Sequence, residues 1–284
     1  NDVKHNAPVM VVLGNPPYSG ESQNKGEWIT MLMEDYKKEP GGVMPLKERN
    51  YKWVNNDYCK FIRLAQDYVN RNNEGVLAYI NANSFLNGIT FRGMRWHLLS
   101  CFDKIYIINL HGSSVDNEKC LDGSRDENIF DIMQGVCINI FVKTGEQKNG
   151  ELAEVFYADQ YGLRKDKFQF LLEHNLDSTN FKRVSLTPPL YSFIPQDTLL
   201  KQEYYSFFSI PDLLKVNSVG MVSANDDLNF SFNKDEFKSL YMQNSVLDVL
   251  EKIHKDLYQE QNKLLLHKLL LNHSLFFPNI YELL

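Results

Sequence analysis

The sequence predicts an α/β fold in which a largely parallel sheet presents polar groups at one edge. Three observations predict it: unbroken apolar runs of strand length, helical apolar spacing between them, and polar residues directly after the runs. The chain has 284 residues, 43% of them hydrophobic, so it can bury a substantial core. This length suits one large domain or two smaller ones.

The predicted elements alternate along the first half of the chain. Strands are expected over residues 9–13, 75–85, 104–110 and 135–142. Helices are expected over residues 58–71, capped by Asp57, and over residues 90–99. A long polar loop with scattered Gly and Pro fills residues 19–56. The first strand should be buried, the last two should pair without a helix between them, and the sheet should end near Lys143.

The second half of the chain has a different sequence pattern. Residues 153–158 alternate and predict antiparallel strands, residues 167–173 predict a short helix, and an apolar stripe predicts a helix over residues 234–271. Polar and Gly residues at 144–150 suit a linker. We therefore divide the chain into residues 1–147, an α/β part, and residues 148–284, a mixed α+β part.

Composition narrows the functional class. The net charge of −6 is unhelpful for binding nucleic acid, although it leaves room for a local basic cleft. The four cysteines form no C-x-x-C pair, which predicts reduced thiols and a cytoplasmic protein. We expect no membrane span, because no apolar run approaches ~20 residues. The seven histidines have no metal-binding spacing, so no metal is expected and His111 is interpreted as structural.

The tetrapeptide Asn15-Pro16-Pro17-Tyr18 follows the first predicted strand, at its carboxyl end, where open α/β sheets place their chemistry. The Asn15 side chain and the Pro16 carbonyl offer two acceptors, and the prolines fix their direction. A planar amino group donating to both would present its lone pair to an electrophile. Tyr18 offers a ring on which a heterocycle can stack. The pattern predicts methylation of an exocyclic amine; an ordinary Pro-Pro turn is the alternative.

Further motifs extend this pattern over most of the chain. They are Asp57-Tyr58-Cys59-Lys60-Phe61-Ile62-Arg63, Thr90-Phe91-Arg92-Gly93-Met94-Arg95, Leu110-His111-Gly112, Glu127-Asn128-Ile129-Phe130-Asp131-Ile132, Phe193-Ile194-Pro195-Gln196-Asp197 and Asn217-Ser218-Val219-Gly220. In this order they resemble the adenine-specific DNA methyltransferase part of type ISP restriction-modification enzymes and their type IIG relatives. The resemblance runs from Val9 to about Asp227.

The resemblance implies a fold and roles for individual residues. Residues 1–147 would be the C-terminal, catalytic half of a Rossmann-like fold dependent on S-adenosylmethionine, and residues 148–284 a target-recognition region, truncated or altered. Asn15 and Pro16 would bind the target amine, while Tyr18 and Phe130 would contact a flipped-out adenine. Phe61 would pack against the adenine of S-adenosylmethionine. A core position is the alternative for both phenylalanines.

Double-stranded DNA would be the partner of such an enzyme. Arg49 and Lys52 lie among aromatic residues, a pattern suited to phosphates and unstacked bases, although the same loop could simply be pinned to the core. Arg92 and Arg95 could meet DNA phosphate, with a solvated helix face as the alternative.

The sequence also departs from the family. The glycine-rich cofactor loop should lie upstream of the tetrapeptide, but nothing in the fourteen residues before Asn15 fits it, and the nuclease and helicase-like parts are also expected upstream. We therefore expect the rest of the methyltransferase domain to lie on the same polypeptide. Three hypotheses remain: a DNA adenine methyltransferase portion, a catalytically silent fragment or gene remnant, and a methyltransferase for the cytosine amine or a protein glutamine.

Overall fold

The computed structural model describes residues 10–18, 22–48, 52–146 and 150–215, and the statements on structure concern these residues. They contain a six-stranded mixed sheet in the order β1-β2-β4-β3-β5-β6. The strands are β1 (Val11–Gly14), β2 (Gly75–Ala82), β3 (Lys104–His111), β4 (Val136–Lys143), β5 (Glu154–Asp159) and β6 (Lys182–Arg183). The predicted α/β class is confirmed.

The sheet is mixed rather than largely parallel, and among the first four strands only β1 and β2 form a parallel pair. β1 is parallel to β2, and β4 runs antiparallel to both of its neighbours, β2 and β3. A two-strand antiparallel pair needs no crossover helix, which is why β3 and β4 are joined without one. The prediction that the last two of these strands pair directly is confirmed.

The prediction that the sheet ends near Lys143 is wrong. β5 is parallel to β3, with Tyr106 paired to Phe156 and their rings stacked at a centroid distance of 5.0 Å. Only its partner β6 adds the expected antiparallel pairing. Alternation within a segment shows that a strand has two faces, but it does not show which strand will be its neighbour. The division at residue 147 stays a prediction, and the sheet crosses it.

The helices are α1 (Glu27–Met33), α2 (Asp57–Asn72), α3 (Arg92–Leu99), α4 (Arg164–Glu173), α5 (Thr198–Ser206) and α6 (Ile210–Leu213). Sequence reasoning missed α1, although Ile29, Met33 and Tyr36 are buried at helical spacing. The cap of α2 is Asn56, not Asp57, because the Asn56 side chain accepts a hydrogen bond from the Cys59 amide at 3.1 Å. Asp57 instead opens the first turn, where a carboxylate favours the helix dipole.

The main core lies between one face of the sheet and the helices α2 and α3. Ile62 and Met94 from these helices are fully buried together with the strand residues Leu77, Ile105 and Phe141. The first strand is less covered than predicted, since Val11 is 57% and Leu13 71% exposed. β1 is an edge strand, and only its Val12 side chain packs toward the helices.

Two compact units divide the chain, Asn1–Ser206 and Phe207–Leu284. Of the second unit only residues 207–215 are described, with the short helix α6. The helix predicted over residues 234–271 lies outside the described residues. None of the helices in the described part of the chain is long and apolar enough to cross a membrane.

Candidate active site

The tetrapeptide Asn15-Pro16-Pro17-Tyr18 directly follows β1, at the carboxyl end of that strand. Asn15 and Pro17 are exposed, whereas Pro16 is buried and Tyr18 is partly buried. At Gly14, just before them, an added Cβ would lie 3.0 Å from Cε1 of the Tyr79 side chain, so a larger residue would require that ring to shift. The exposed Asn15 side chain lies at the carboxyl end of β1, next to the buried Pro16.

Tyr18 is fixed at both ends. Its hydroxyl donates to the carbonyl oxygen of Ile80 at 3.3 Å, and its ring lies 5.8 Å from that of Phe130 with the planes tilted by 56°. Burial, with a smaller contribution from Cys137, raises the pKa of the Tyr18 hydroxyl. The hydroxyl stays neutral and remains a donor. The structure thus brings together the two aromatic residues that the sequence placed against the target base.

Phe130 is positioned by the loop between β3 and β4. The Asn128 side chain accepts from the Phe130 amide at 2.9 Å and donates to the carbonyls of Gly112 and Gln134 at 3.1 and 2.7 Å. Gly112 has a φ of +83°, and an added Cβ there would lie 2.5 Å from Cα of Asn128. Phe130 is partly buried and lines a cavity of about 1000 Å³. Phe130 also packs against the buried Leu110, Ile129 and Val136, so its contact with a base stays a prediction.

A second cavity, of about 580 Å³, lies at the carboxyl ends of β2 and β3. Its lining combines aromatic rings with amide, hydroxyl and charged side chains, among them Trp53, Tyr58, Phe91, Asn83, Ser84, Asn109, His111 and Glu118. The Tyr58 and Ser84 hydroxyls hydrogen-bond at 2.7 Å across it. Concave, mixed aromatic and polar sites of this kind are where ligands most often bind.

A chain of hydrogen bonds holds the polar wall of this cavity. Asn83 donates to Asn109 at 3.0 Å, Asn109 donates to the Tyr157 hydroxyl at 3.0 Å, and Tyr157 donates to Asp159 at 2.5 Å. These side chains come from β3, β5 and the short turn that follows β2. Because buried polar groups are costly unless paired, this network fixes the strand ends relative to one another.

His111 continues the network into the β3–β4 loop. Its Nδ1 lies 2.6 Å from Glu118 and its Nε2 2.8 Å from Asp159, and its ring stacks on Tyr161 at 3.7 Å. Burial lowers the pKa of His111, but the hydrogen bonds to Asp159 and Glu118 outweigh it, so the pKa is raised. Two carboxylates thus hold the His111 ring, which ties the loop to the sheet. Sequence reasoning expected a structural residue but could not find the two acidic partners.

Two of the predicted DNA-binding residues are internal. The Arg92 guanidinium pairs with Glu39 at 2.6 Å and with Glu48. Arg95 is fully buried and donates to the carbonyls of Phe85, Gly88, Leu190 and Tyr191. Both expectations of phosphate contact are wrong in this structure, because other groups already occupy these guanidinium groups.

The other two predicted DNA-binding residues are Arg49 and Lys52. Arg49 lies outside the described residues, and Lys52 lines a polar cavity of about 420 Å³. The predicted cofactor residue Phe61 is 37% exposed on α2, so the alternative that it is a core residue is wrong. Its part in cofactor binding stays a prediction.

Comparisons with known proteins support the resemblance seen in the motifs. Residues 5–115 match the model of the Eco57I restriction-modification methylase family. No curated protein matches the chain in sequence. The predicted resemblance to restriction-modification methyltransferases is confirmed.

Three solved structures share the fold. One is an ATP-dependent Type ISP restriction-modification enzyme, LlaBIII, bound to DNA, with 24% identity over 70% of this chain, 13% of that chain and a TM-score of 0.57. A nuclease-deletion mutant of the Type ISP enzyme LlaGI, in complex with a DNA substrate mimic, is 24% identical. The match covers 69% of this chain and 19% of that chain, with a TM-score of 0.56. The DrdV–DNA complex is 20% identical, and the match covers 82% of this chain and 24% of that chain, with a TM-score of 0.58. This chain therefore corresponds to less than a quarter of the length of each.

Proposed function

We propose that this chain carries the catalytic part of a site-specific DNA adenine methyltransferase from a restriction-modification enzyme. The methyl group would pass from S-adenosylmethionine to the N6 amine of a flipped-out adenine. The observation that carries the proposal is the placement of Asn15-Pro16-Pro17-Tyr18 at the carboxyl end of β1, with the Tyr18 ring 5.8 Å from Phe130. The family match over residues 5–115 includes this tetrapeptide.

Asn15 and Pro16 would orient the amine. The exposed Asn15 side-chain oxygen and the Pro16 carbonyl oxygen would each accept one amine hydrogen, which draws the nitrogen toward tetrahedral geometry and exposes its lone pair. The lone pair would form the new bond to the methyl carbon as the carbon–sulfur bond of the donor breaks, S-adenosylhomocysteine would leave, and the nitrogen would then lose a proton to solvent. Catalysis would rest on positioning and exclusion of water, without a covalent intermediate on the protein.

Tyr18 and Phe130 would hold the base once it has left the duplex. An extruded base loses its stacking partners, and an aromatic side chain restores roughly 1–3 kcal/mol of that interaction. The hydroxyl bond from Tyr18 to Ile80 and the Asn128 side chain behind Phe130 keep both rings in place before the base arrives.

S-adenosylmethionine would supply an electrophilic methyl group. Among the described residues, the aromatic side chain of Phe61 fits its adenine, because it is 37% exposed rather than locked in the core. The remaining contacts would come from another segment of a longer polypeptide. This proposal agrees with the small share of each matched structure that the chain spans.

The sheet supports a finer description of the fold. An antiparallel strand, β4, lies between two strands that run parallel to β1, as expected for the C-terminal half of a Rossmann-like methyltransferase sheet. We propose this assignment, with target recognition in residues 148–284.

A silent fragment is the second candidate. It is favoured by the exposure of Val11 and Leu13, which leaves the strand before the tetrapeptide uncovered on one side. Calorimetric titration of the complete polypeptide encoded by the gene with S-adenosylmethionine distinguishes the two: binding removes this candidate, and failure to bind supports it. A cytosine or protein-glutamine substrate is the lesser alternative, separated by mass spectrometry of the methylated product.

The proposal is tested with Asn15→Ala in the complete polypeptide encoded by the gene. We expect methylation of adenine in duplex DNA to fall by roughly 10²-fold or more, as for loss of one oriented polar group in a transition state. Asn180→Ala, a matched change at an exposed site, should keep wild-type activity. Equal adenine methylation by Asn15→Ala and wild type would overturn the assigned role.

A further inference from the structure

A concave site of about 420 Å³ lies beside the start of α1 and the outer side of α2. It is lined by Ser22, Gln23, Lys25, Thr30, Lys37, Lys52, Asn55 and Lys60. Four of these eight residues are lysines, and the described lining contains no acidic side chain. We call these four lysines the lysine pocket. It is notable in a chain whose net charge is −6.

Lys60 anchors the pocket. The residue is only 8% exposed, and its ammonium donates to the Ser22 hydroxyl at 3.0 Å and to the Asn24 carbonyl. Burial lowers the pKa of Lys60; Asp57 opposes this, and Lys37 and Lys25 add to the lowering. Several positive charges therefore share one concave space, and part of their repulsion would be relieved by a bound anion.

An ion pair and several polar groups surround the four lysines. Lys37 pairs with Glu34 at 2.8 Å, but the Glu34 side chain is 58% exposed, and such a pair contributes little. Hydroxyl and amide groups from Ser22, Thr30 and Asn55 add polar partners suited to phosphate oxygens.

The pocket adjoins the carboxyl edge of the sheet. Lys52 and Asn55 line it, while Trp53 and Asn56 from the same short segment line the 580 Å³ cavity that also contains Tyr58. Trp53 is 53% exposed. One segment thus presents lysine to one cavity and aromatic surface to the other, an alternation suited to a sugar-phosphate strand with an unstacked base.

We propose that the lysine pocket binds a phosphate of the DNA backbone close to the target base. The proposal rests on the function proposed above and extends it to residues outside the tetrapeptide. It also assigns a place to Lys52, a predicted DNA-binding residue that lines this pocket. Phosphate contacts position a protein on the duplex without reading its sequence.

The test is the salt dependence of binding to a fluorescently labelled duplex, measured by anisotropy with the full chain. Lys25→Gln/Lys52→Gln should weaken binding at low salt by tenfold or more and reduce the slope of log affinity against log salt by about 1 to 2. Lys25→Arg/Lys52→Arg should restore the wild-type slope. Lys60 is left intact because it is buried, and thermal melting confirms that the variants fold.

The control is Lys104→Gln/Lys165→Gln, which removes the same charge from two exposed positions elsewhere. An equal loss of slope in this control would overturn the proposal, since net charge alone would then explain the effect. A wild-type slope in Lys25→Gln/Lys52→Gln would overturn it too. No duplex binding by the wild-type chain would overturn both this proposal and its DNA partner. Loss of inorganic phosphate binding with unchanged DNA binding would assign the pocket to a free anion.

Discussion

Both faces of the sheet carry apolar side chains, but the two faces differ in what covers them. On one face, Leu77, Ile105 and Phe141 pair across neighbouring strands and are fully buried beneath α2 and α3. On the other, Ala78, Ile140 and their neighbours are only partly buried. An apolar strand therefore shows that a face favours burial, but the sequence of the strand does not show what covers it.

The difference explains where sequence reasoning succeeded. β2, β3 and β4 were predicted within a few residues, because each is a continuous apolar run with polar ends. The first strand has the same kind of run, yet Leu13 is 71% exposed because no described element packs on that side. Burial is decided by tertiary neighbours, which a local pattern does not contain.

In the candidate site, too, some residues could be placed from the sequence and others could not. The tetrapeptide could be placed at a strand end from sequence because its position depends only on the strand before it. The arginines could not be placed, since Arg92 meets Glu39 and Glu48 from a distant loop and Arg95 meets backbone carbonyls. Helix α1 could have been found, because Ile29, Met33 and Tyr36 have helical spacing despite the Gly and Pro around them.

The largest expected effect lies on the covered side of the sheet. Arg95→Met keeps an apolar stem but leaves buried carbonyls without their donor, so we expect a loss of about 4 kcal/mol in the free energy of unfolding. Arg71→Met, which breaks an exposed pair with Asp67, should cost about 0.5 kcal/mol. Urea denaturation measures both. Similar losses would show that Arg95 is not a buried structural link.

The two faces can be compared with one substitution. Ile105→Ala on the covered face should cost about 3 kcal/mol, and Ile140→Ala on the partly exposed face about 1 kcal/mol, since less surface is removed from water there. The two residues lie in the adjacent strands β3 and β4, so the backbone around them is comparable. Equal losses in urea denaturation would mean that the second face is as well packed as the first.

His111, at the carboxyl end of β3, should make the free energy of unfolding depend on pH. Its folded pKa is raised, so its contribution is complete below the unfolded value of about 6.5 and is lost as pH rises through the folded value. The pKa values of Glu118 and Asp159 are lowered, so their contribution is lost as pH falls below about 4.

His111→Gln should therefore cost roughly 2 kcal/mol near pH 5.5, where the ion pairs are complete, and less at pH 8.5. The comparison is made by urea denaturation at both pH values. His174→Gln, at an exposed histidine, is the matched control and should change little at either. A cost for His111→Gln that is the same at both pH values would contradict a charged His111.

The most direct test of the central claim is methylation by Tyr18 variants of the complete polypeptide. The claim is that the Tyr18 ring holds a flipped adenine beside Asn15. Tyr18→Ala should lower adenine methylation by about tenfold or more through lost stacking, whereas Tyr18→Phe keeps the ring and loses only the 3.3 Å bond to Ile80, so it should stay near wild type. Wild-type adenine methylation by Tyr18→Ala would contradict the account.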